Sequence, residues 1–121
     1  MKIYLAHSSG YDYTTELYEP IKMAFANDYE IFCSHDNHND GENSKAIIAN
    51  SDVIFAEVSQ PSTGQEIELG WASFHDKPII CFNKVGSSPS SALRFISPNI
   101  FEYATTEEMI NRLRSEIQKL R

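Results

Sequence analysis

The chain reads as an α/β domain, a doubly wound, five-stranded parallel sheet with helices on both faces. Three observations predict it. Short apolar runs of strand length recur at residues 2–6, 30–33, 52–58, 78–82 and 99–103, with helical patterning between them. Two of these runs, Val53-Ile54-Phe55-Ala56 and Ile79-Ile80-Cys81-Phe82, are continuously apolar, as strands covered on both faces are. At 121 residues, with 41% hydrophobic and 12% aromatic content, the chain holds material for one core, which places residues 1–121 in a single domain.

After the first strand, Leu17, Ile21, Ala24 and Phe25 repeat at helical spacing, and Pro20 belongs in the first turn of that helix, where it does least harm. The second strand leads into a polar stretch, 34–44, read as a loop at the sheet edge. The third strand feeds a Pro-Ser-Thr-Gly turn and then a helix whose apolar face is assigned to Ile67, Trp71 and Phe74, with Glu68 bordering the core. A second polar stretch, 86–91, follows the fourth strand and is also read as a loop. After the fifth strand, Thr105 and Glu108 have the spacing of a capping box, and Met109, Ile110, Leu113, Ile117 and Leu120 form a core-facing stripe. There is no internal repeat and no low-complexity tract.

Right-handed crossovers in this order place ligands outside the carboxyl ends of the strands, near the switch in strand order. Three segments meet there: 7–11 after the first strand, 34–44 after the second and 59–64 after the third. The formal charge of −7, from 17 acidic against 10 basic residues, argues against a nucleic-acid polymer as partner. A small anion remains compatible, because a helix N-terminus and hydroxyls can hold one phosphate without net positive charge. Cys33 and Cys81 fall inside apolar runs without a Cys-x-x-Cys pair and read as core thiols. Neither a secretory leader pattern nor a run of about 18 apolar residues is present, so the expectation is a soluble cytoplasmic protein that does not engage a membrane.

The chemistry concentrates between Ser51 and Ala72. A buried strand ends in Ser59-Gln60-Pro61-Ser62-Thr63-Gly64, so the next helix would present its N–H groups and the Ser62 and Thr63 hydroxyls to the ligand edge as a phosphate cradle. The plainer reading is that Ser62 and Gln65 form a capping box that finishes the helix. Glu68, a turn and a half into that helix, could reach over the sheet edge and attack or stabilise an oxocarbenium-like sugar carbon. Its plainer reading is a solvated helical glutamate. Glu66 lies about 200° around the helix from Glu68 and cannot form a close pair with it. Asp52 and Glu57 flank a buried strand and suit hydrogen-bonded structural roles.

The stretch from Ala56 to Gly64, continuing through Glu68-Leu69-Gly70 and Ala72, resembles the nucleoside 2-deoxyribosyltransferase-like superfamily, especially its 2′-deoxynucleoside 5′-phosphate N-hydrolase (Rcl) branch. Thinner matches at Ile3-Tyr4-Leu5, Ser8, Leu17-Tyr18, His35, Lys77-Pro78-Ile79 and Ser91-Ala92 carry the resemblance over nearly the whole chain. It implies a flavodoxin/Rossmann-like fold and N-glycosidic bond chemistry on a nucleoside or nucleotide, with no cofactor. Glu68 matches the catalytic glutamate and Tyr4 an active-site tyrosine. Ser8 and Ser62 match phosphate contacts, with Gly64 in the same turn, and Ser91 falls near a serine lent by the neighbouring subunit, which implies a homodimer or higher homo-oligomer.

Three positions depart from the pattern. Ser44, eight residues before Asp52, stands where the family has an aspartate that assists catalysis. Ser62 stands where the transferases have an aspartate six residues before the nucleophile, which favours the hydrolase branch. Ser9-Gly10-Tyr11-Asp12 replaces the hydrolases' Gly-Gly-Arg loop.

Two expectations follow: an N-glycosidase or deoxyribosyltransferase using Glu68, or a nucleotide-binding module that kept the cleft and lost the chemistry. Asp36, Asp40 or Glu42 could replace the missing helper acid if their loop folds over the site. A receiver-type signalling domain is set aside, because His7-Ser8 and Ser59-Gln60 occupy the places where its acids would stand. A metal site at His35, Asp36, His38 and Asp40 is set aside as well, because the spacing matches no helical or finger-type ligand pattern.

Overall fold

The structure, a computed structural model, is described for residues 1–35, 41–97 and 100–120, and for 41–43 in the backbone alone. Five parallel strands, β1 (Lys2–His7), β2 (Glu30–Cys33), β3 (Val53–Glu57), β4 (Ile79–Lys84) and β5 (Ile100–Tyr103), form one sheet in the order β2-β1-β3-β4-β5. Between β1 and β2 a π-helical turn, Thr14–Tyr18, runs into α1 (Glu19–Phe25). The other helices are α2 (Gly41–Ala49), α3 (Thr63–Phe74) and α4 (Thr106–Gln118), with a short 3₁₀ turn at Ser91–Phe95. The expected fold class is the observed one.

Register places Ile3 beside Val53, Tyr4 beside Ile54, Leu5 beside Phe55 and His7 beside Glu57. Side chains alternate across a strand, so the sheet buries two separate cores. Ile3, Leu5, Val53, Phe55 and Phe82 pack against Leu17, Ile21 and Phe25 near α1 and Met109, Leu113 and Ile117 on α4. Tyr4, Ala6, Ile54, Ala56 and Cys81 pack against Ile48 on α2 and Leu69 and Ala72 on α3. Every residue of β3 is buried, as its unbroken apolar run requires of a central strand. Both cysteines are buried in the core, as read from the sequence. The capping box at α4 is present in both directions, Thr105 to Glu108 and back.

Several local readings are corrected. The inward face of α3 is Gln65, Leu69 and Ala72, whereas Ile67 is 50% and Phe74 83% exposed. Both sets have i, i+4 and i+7 members, so periodicity alone could not choose between them; the sheet beneath takes the smaller side chains. The stretch 34–44 is not all loop, because α2 already begins at Gly41 and carries Ser44. The 86–91 stretch is loop up to Ser90, and Ser91 opens the 3₁₀ turn. Leu120 is outside the α4 stripe, because the helix ends at Gln118 and leaves it 40% exposed. The start of the fifth predicted strand, at Asn99, falls outside the described residues, and β5 is seen from Ile100.

A Schellman motif ends α3. Lys77 N–H bonds to Ala72 C=O and Asp76 N–H to Ser73 C=O, both at 3.0 Å. The αL position of that motif is filled by Asp76, with φ 55°.

Candidate functional site

Strand order reverses between β1 and β3, so the crevice at their carboxyl ends is the topological switch point. The turn after β3 builds one wall. Glu57, 2% exposed, accepts hydrogen bonds from Ser59 N–H at 2.7 Å and Ser59 Oγ at 2.9 Å, and Tyr103 OH donates to it as well. The buried side chain of Gln65 donates to the Glu57 carbonyl at 2.7 Å, tying the first turn of α3 to the end of β3. Ser62 caps that helix by accepting from Gln65 N–H at 3.4 Å. The cap is therefore one-sided: Gln65 donates to Glu57 and does not return to Ser62, so the expected capping box is half formed.

With Gln65, Leu69 and Ala72 turned inward, Glu68 lies on the same face, three residues after Gln65. That placement brings its carboxylate to Tyr4, whose hydroxyl donates to Glu68 Oε2. Tyr4 is fully buried and stacks on Phe32 of β2, ring centroids 5.5 Å apart. Ser44 Oγ is 3.4 Å from the same hydroxyl. Tyr4 has one proton and the carboxylate takes it, so Ser44 is the donor in the second contact.

Burial raises the Glu68 carboxyl above its usual range, and the Tyr4 hydrogen bond opposes part of that rise. Burial and the Glu68 charge push the Tyr4 phenol well above its ordinary value. Tyr4 thus stays a protonated donor throughout the physiological range.

Two of the predicted site residues, Tyr4 and Glu68, therefore meet in one cluster, and Ser44, named as a departure, joins them. Ser8, 5% exposed, donates to Gln60 Oε1 at 3.2 Å and stands at the carboxyl end of β1. A Cβ on Gly10 would lie 2.4 Å from the same Gln60 oxygen, so any other residue there would displace the Gln60 amide from Ser8. Ser62 is half-buried at the α3 N-terminus, where the N–H groups of a first turn lack helical partners. Gly64 is exposed in open space and required by no close contact. Ser91 is exposed and borders Ser87, Ser90, Arg94 and Glu102 beside β4 and β5, away from the Tyr4, Ser44 and Glu68 cluster.

The sequence assigns Gln60, Phe32 and His7 no role in the site. Nothing in a lone glutamine or in a strand phenylalanine distinguishes a site neighbour from a core or surface residue. His7 lay in a segment named for its place alone. Asp36, His38 and Asp40 fall outside the described residues, and nothing is described of the Glu42 side chain. Among the described residues, no group of three or more His, Cys, Asp or Glu side chains could hold a metal ion, and no helix is long and apolar enough to cross a membrane.

No protein-family model matches the chain. A Syntrophotalea carbinolica protein named "Putative 2'-deoxynucleoside 5'-phosphate N-hydrolase 1" is 43% identical over 54 residues, a match spanning 44% of this chain and 38% of that protein's length. Among solved structures, the CMP N-glycosidase BcmB of Clostridium botulinum superposes with TM-score 0.72 at 21% identity, covering 94% of this chain and 99% of that one. A 2-deoxyribosyltransferase from Bacillus psychrosaccharolyticus gives 0.71 at 16% identity, covering 92% and 91%. A receiver domain from Vibrio parahaemolyticus gives 0.58 at 18% identity, covering 98% and 95%, so this fold serves more than one kind of function. The chain thus resembles the nucleoside 2-deoxyribosyltransferase-like superfamily, sharing the fold of an N-glycosidase and a deoxyribosyltransferase and, over 54 residues, 43% identity with a protein named for the 2′-deoxynucleoside 5′-phosphate N-hydrolase branch.

Proposed function

We propose that the chain cleaves or exchanges the N-glycosidic bond of a (deoxy)nucleoside or its 5′-monophosphate, with Glu68 as nucleophile. The observation that carries this reading is the Tyr4–Glu68 hydrogen bond at the switch point of the sheet. A half-buried carboxylate held by a phenol that stays protonated is oriented, desolvated and unusually basic, as a nucleophile toward a sugar carbon must be. The Glu68 carboxylate attacks C1′, the C1′–N bond breaks, and its electron pair leaves with the base, which takes a proton from solvent. Water, or a second base, then attacks C1′ and frees the carboxylate. Ser8, Ser62 and Gly64, with the N–H groups at the start of α3, hold the phosphate or sugar end.

A homodimer belongs to this reading. Ile67 and Phe74 leave an apolar strip on the outer face of α3, and Phe95, 79% exposed, stands on the same 3₁₀ turn as Ser91. These side chains offer a surface for a second copy, with Ser91 on the turn that carries Phe95. A cytoplasmic location suits two core cysteines, Cys33 and Cys81, that form no disulfide.

One observation favours a second reading, a nucleotide-binding module without activity. Ser44 occupies the helper position beside Tyr4, so the described residues place no second carboxylate against Glu68. Chromatography of the protein incubated with nucleosides and 5′-monophosphates, with and without a second free base, separates the readings. Release of free base supports hydrolysis, and exchange without net release supports transfer. A monophosphate that raises the melting temperature without any turnover supports the binding module.

A further inference from the structure

A second set of buried polar groups lies across the sheet from Glu68, at the carboxyl end of β1. The His7 imidazole is 2% exposed, with Nδ1 2.7 Å from the Ser8 carbonyl and Nε2 2.5 Å from the Tyr18 hydroxyl. A carbonyl only accepts, so Nδ1 carries the proton and Nε2 is the acceptor. The Tyr18 hydroxyl therefore donates to Nε2, while it accepts the backbone N–H of His35 at 2.9 Å.

The direction of each bond is thereby fixed. His35 N–H points to Tyr18 O, Tyr18 O–H to His7 Nε2, and His7 Nδ1–H to Ser8 C=O. This chain, with Ser34 Oγ also 3.4 Å from His7 Nε2, joins the residues just past β2, the π-helical turn and the first residue after β1, three segments that converge on the ligand edge. The π-helical turn is itself a rare geometry, frequent at functional sites, and here it delivers Tyr18 to the imidazole. Tyr13 and His35 close on the His7 ring at centroid distances of 4.5 and 4.8 Å, so the imidazole cannot swing away without repacking them.

Ser8 is both the end of this chain and a predicted substrate contact. We propose that His7 and Tyr18 are positioning residues that hold the Ser8 turn and the end of β2 in mutual register. They set how tightly the site grips the phosphate or sugar end of its substrate and leave bond cleavage to Glu68. The proposal rests on the N-glycosidic reading for the identity of the ligand, but not for the existence of the linkage.

Tyr18→Phe, His7→Phe and the double variant test it, with affinity for the four common 2′-deoxynucleoside 5′-monophosphates read by calorimetry and turnover by base release. Each single substitution should weaken binding about tenfold, the effect of one buried hydrogen bond, with kcat within about twofold of wild type. The double variant should bind no more weakly than either single one, because both break the same chain. Losses that add, or a fall in kcat at unchanged affinity, would overturn the proposal.

If the wild type binds no nucleotide, the functional reading fails, and the linkage is decided by the amide spectrum of Tyr18→Phe, which removes one oxygen and leaves the ring to pack. Shifts at both the Ser9 and His35 amides support the linkage. Shifts confined to the Thr14–Tyr18 turn and α1 overturn it.

Discussion

The Tyr4 hydroxyl, carried by β1, donates to the Glu68 carboxylate carried by α3, and this bond joins two residues 64 positions apart in the chain. It favours the charged carboxylate against a burial that disfavours it. Tyr4→Phe removes the opposing effect and lets the Glu68 pKa rise further. The acidic limb of the kcat/KM profile should move to higher pH, and activity at neutral pH should fall by about 10- to 100-fold, the range for one preorganised hydrogen bond. A pH–rate profile of the variant beside wild type checks both.

Ser44→Asp should increase activity. The Ser44 hydroxyl already sits 3.4 Å from Tyr4 OH, so an aspartate there would place a second carboxyl group within reach of the Tyr4–Glu68 pair. General acid assistance is worth about 10²- to 10⁴-fold, and even partial recovery should raise kcat at least about tenfold. Base-release kinetics decide this, and an unchanged kcat would mean that the helper function is supplied from elsewhere.

The sequence disclosed the sheet, because continuous apolar runs such as 53–56 admit few other readings, and it disclosed the Ser62 to Glu68 segment because a strand, a turn and a helix follow in plain order. It did not disclose which face of α3 turns inward. Ile67, Trp71 and Phe74 share the same spacing as Gln65, Leu69 and Ala72, and only the partner surface distinguishes them. Ser44 was legible as a departure but not as a neighbour of Tyr4, since its place on α2 depends on a crossover of undetermined length. The His7, Tyr18 and His35 linkage was not legible, because a histidine and a tyrosine at that separation meet only through the π-helical turn.

His7 should stay neutral well below the pH at which an exposed histidine charges. Burial lowers its pKa from 6.5 to about 4, the Ser8 hydrogen bond opposing and His35 adding to the effect. Between these values the unfolded chain binds the proton and the folded one does not. Stability is therefore full above pH 6.5 and falls as the pH drops toward 4, by about 3 kcal/mol at most. Denaturant melts of wild type and His7→Phe from pH 7 to 4 should differ by this slope, since the opposite contribution of Glu68 is common to both.

Asp76→Gly should stabilise the protein. Asp76 occupies the αL position of the Schellman motif after α3, where glycine avoids the Cβ clash. The gain should be about 0.5–1 kcal/mol, partly offset by the greater freedom of glycine in the unfolded chain, and a melting temperature higher by a few degrees would register it.

Whether Glu68 performs the chemistry is decided by Glu68→Gln through two readings on one sample. The amide can still accept from Tyr4, so the fold is retained, while the nucleophile is gone. Base release from a nucleotide that the wild type cleaves should fall by about 10³-fold or more. The melting temperature at pH 7 should rise, because a carboxyl whose folded pKa is raised costs stability above that pKa, and the advantage should vanish as the pH falls to the ordinary carboxyl value. Undiminished base release from Glu68→Gln would contradict the account and move the chemistry to another group.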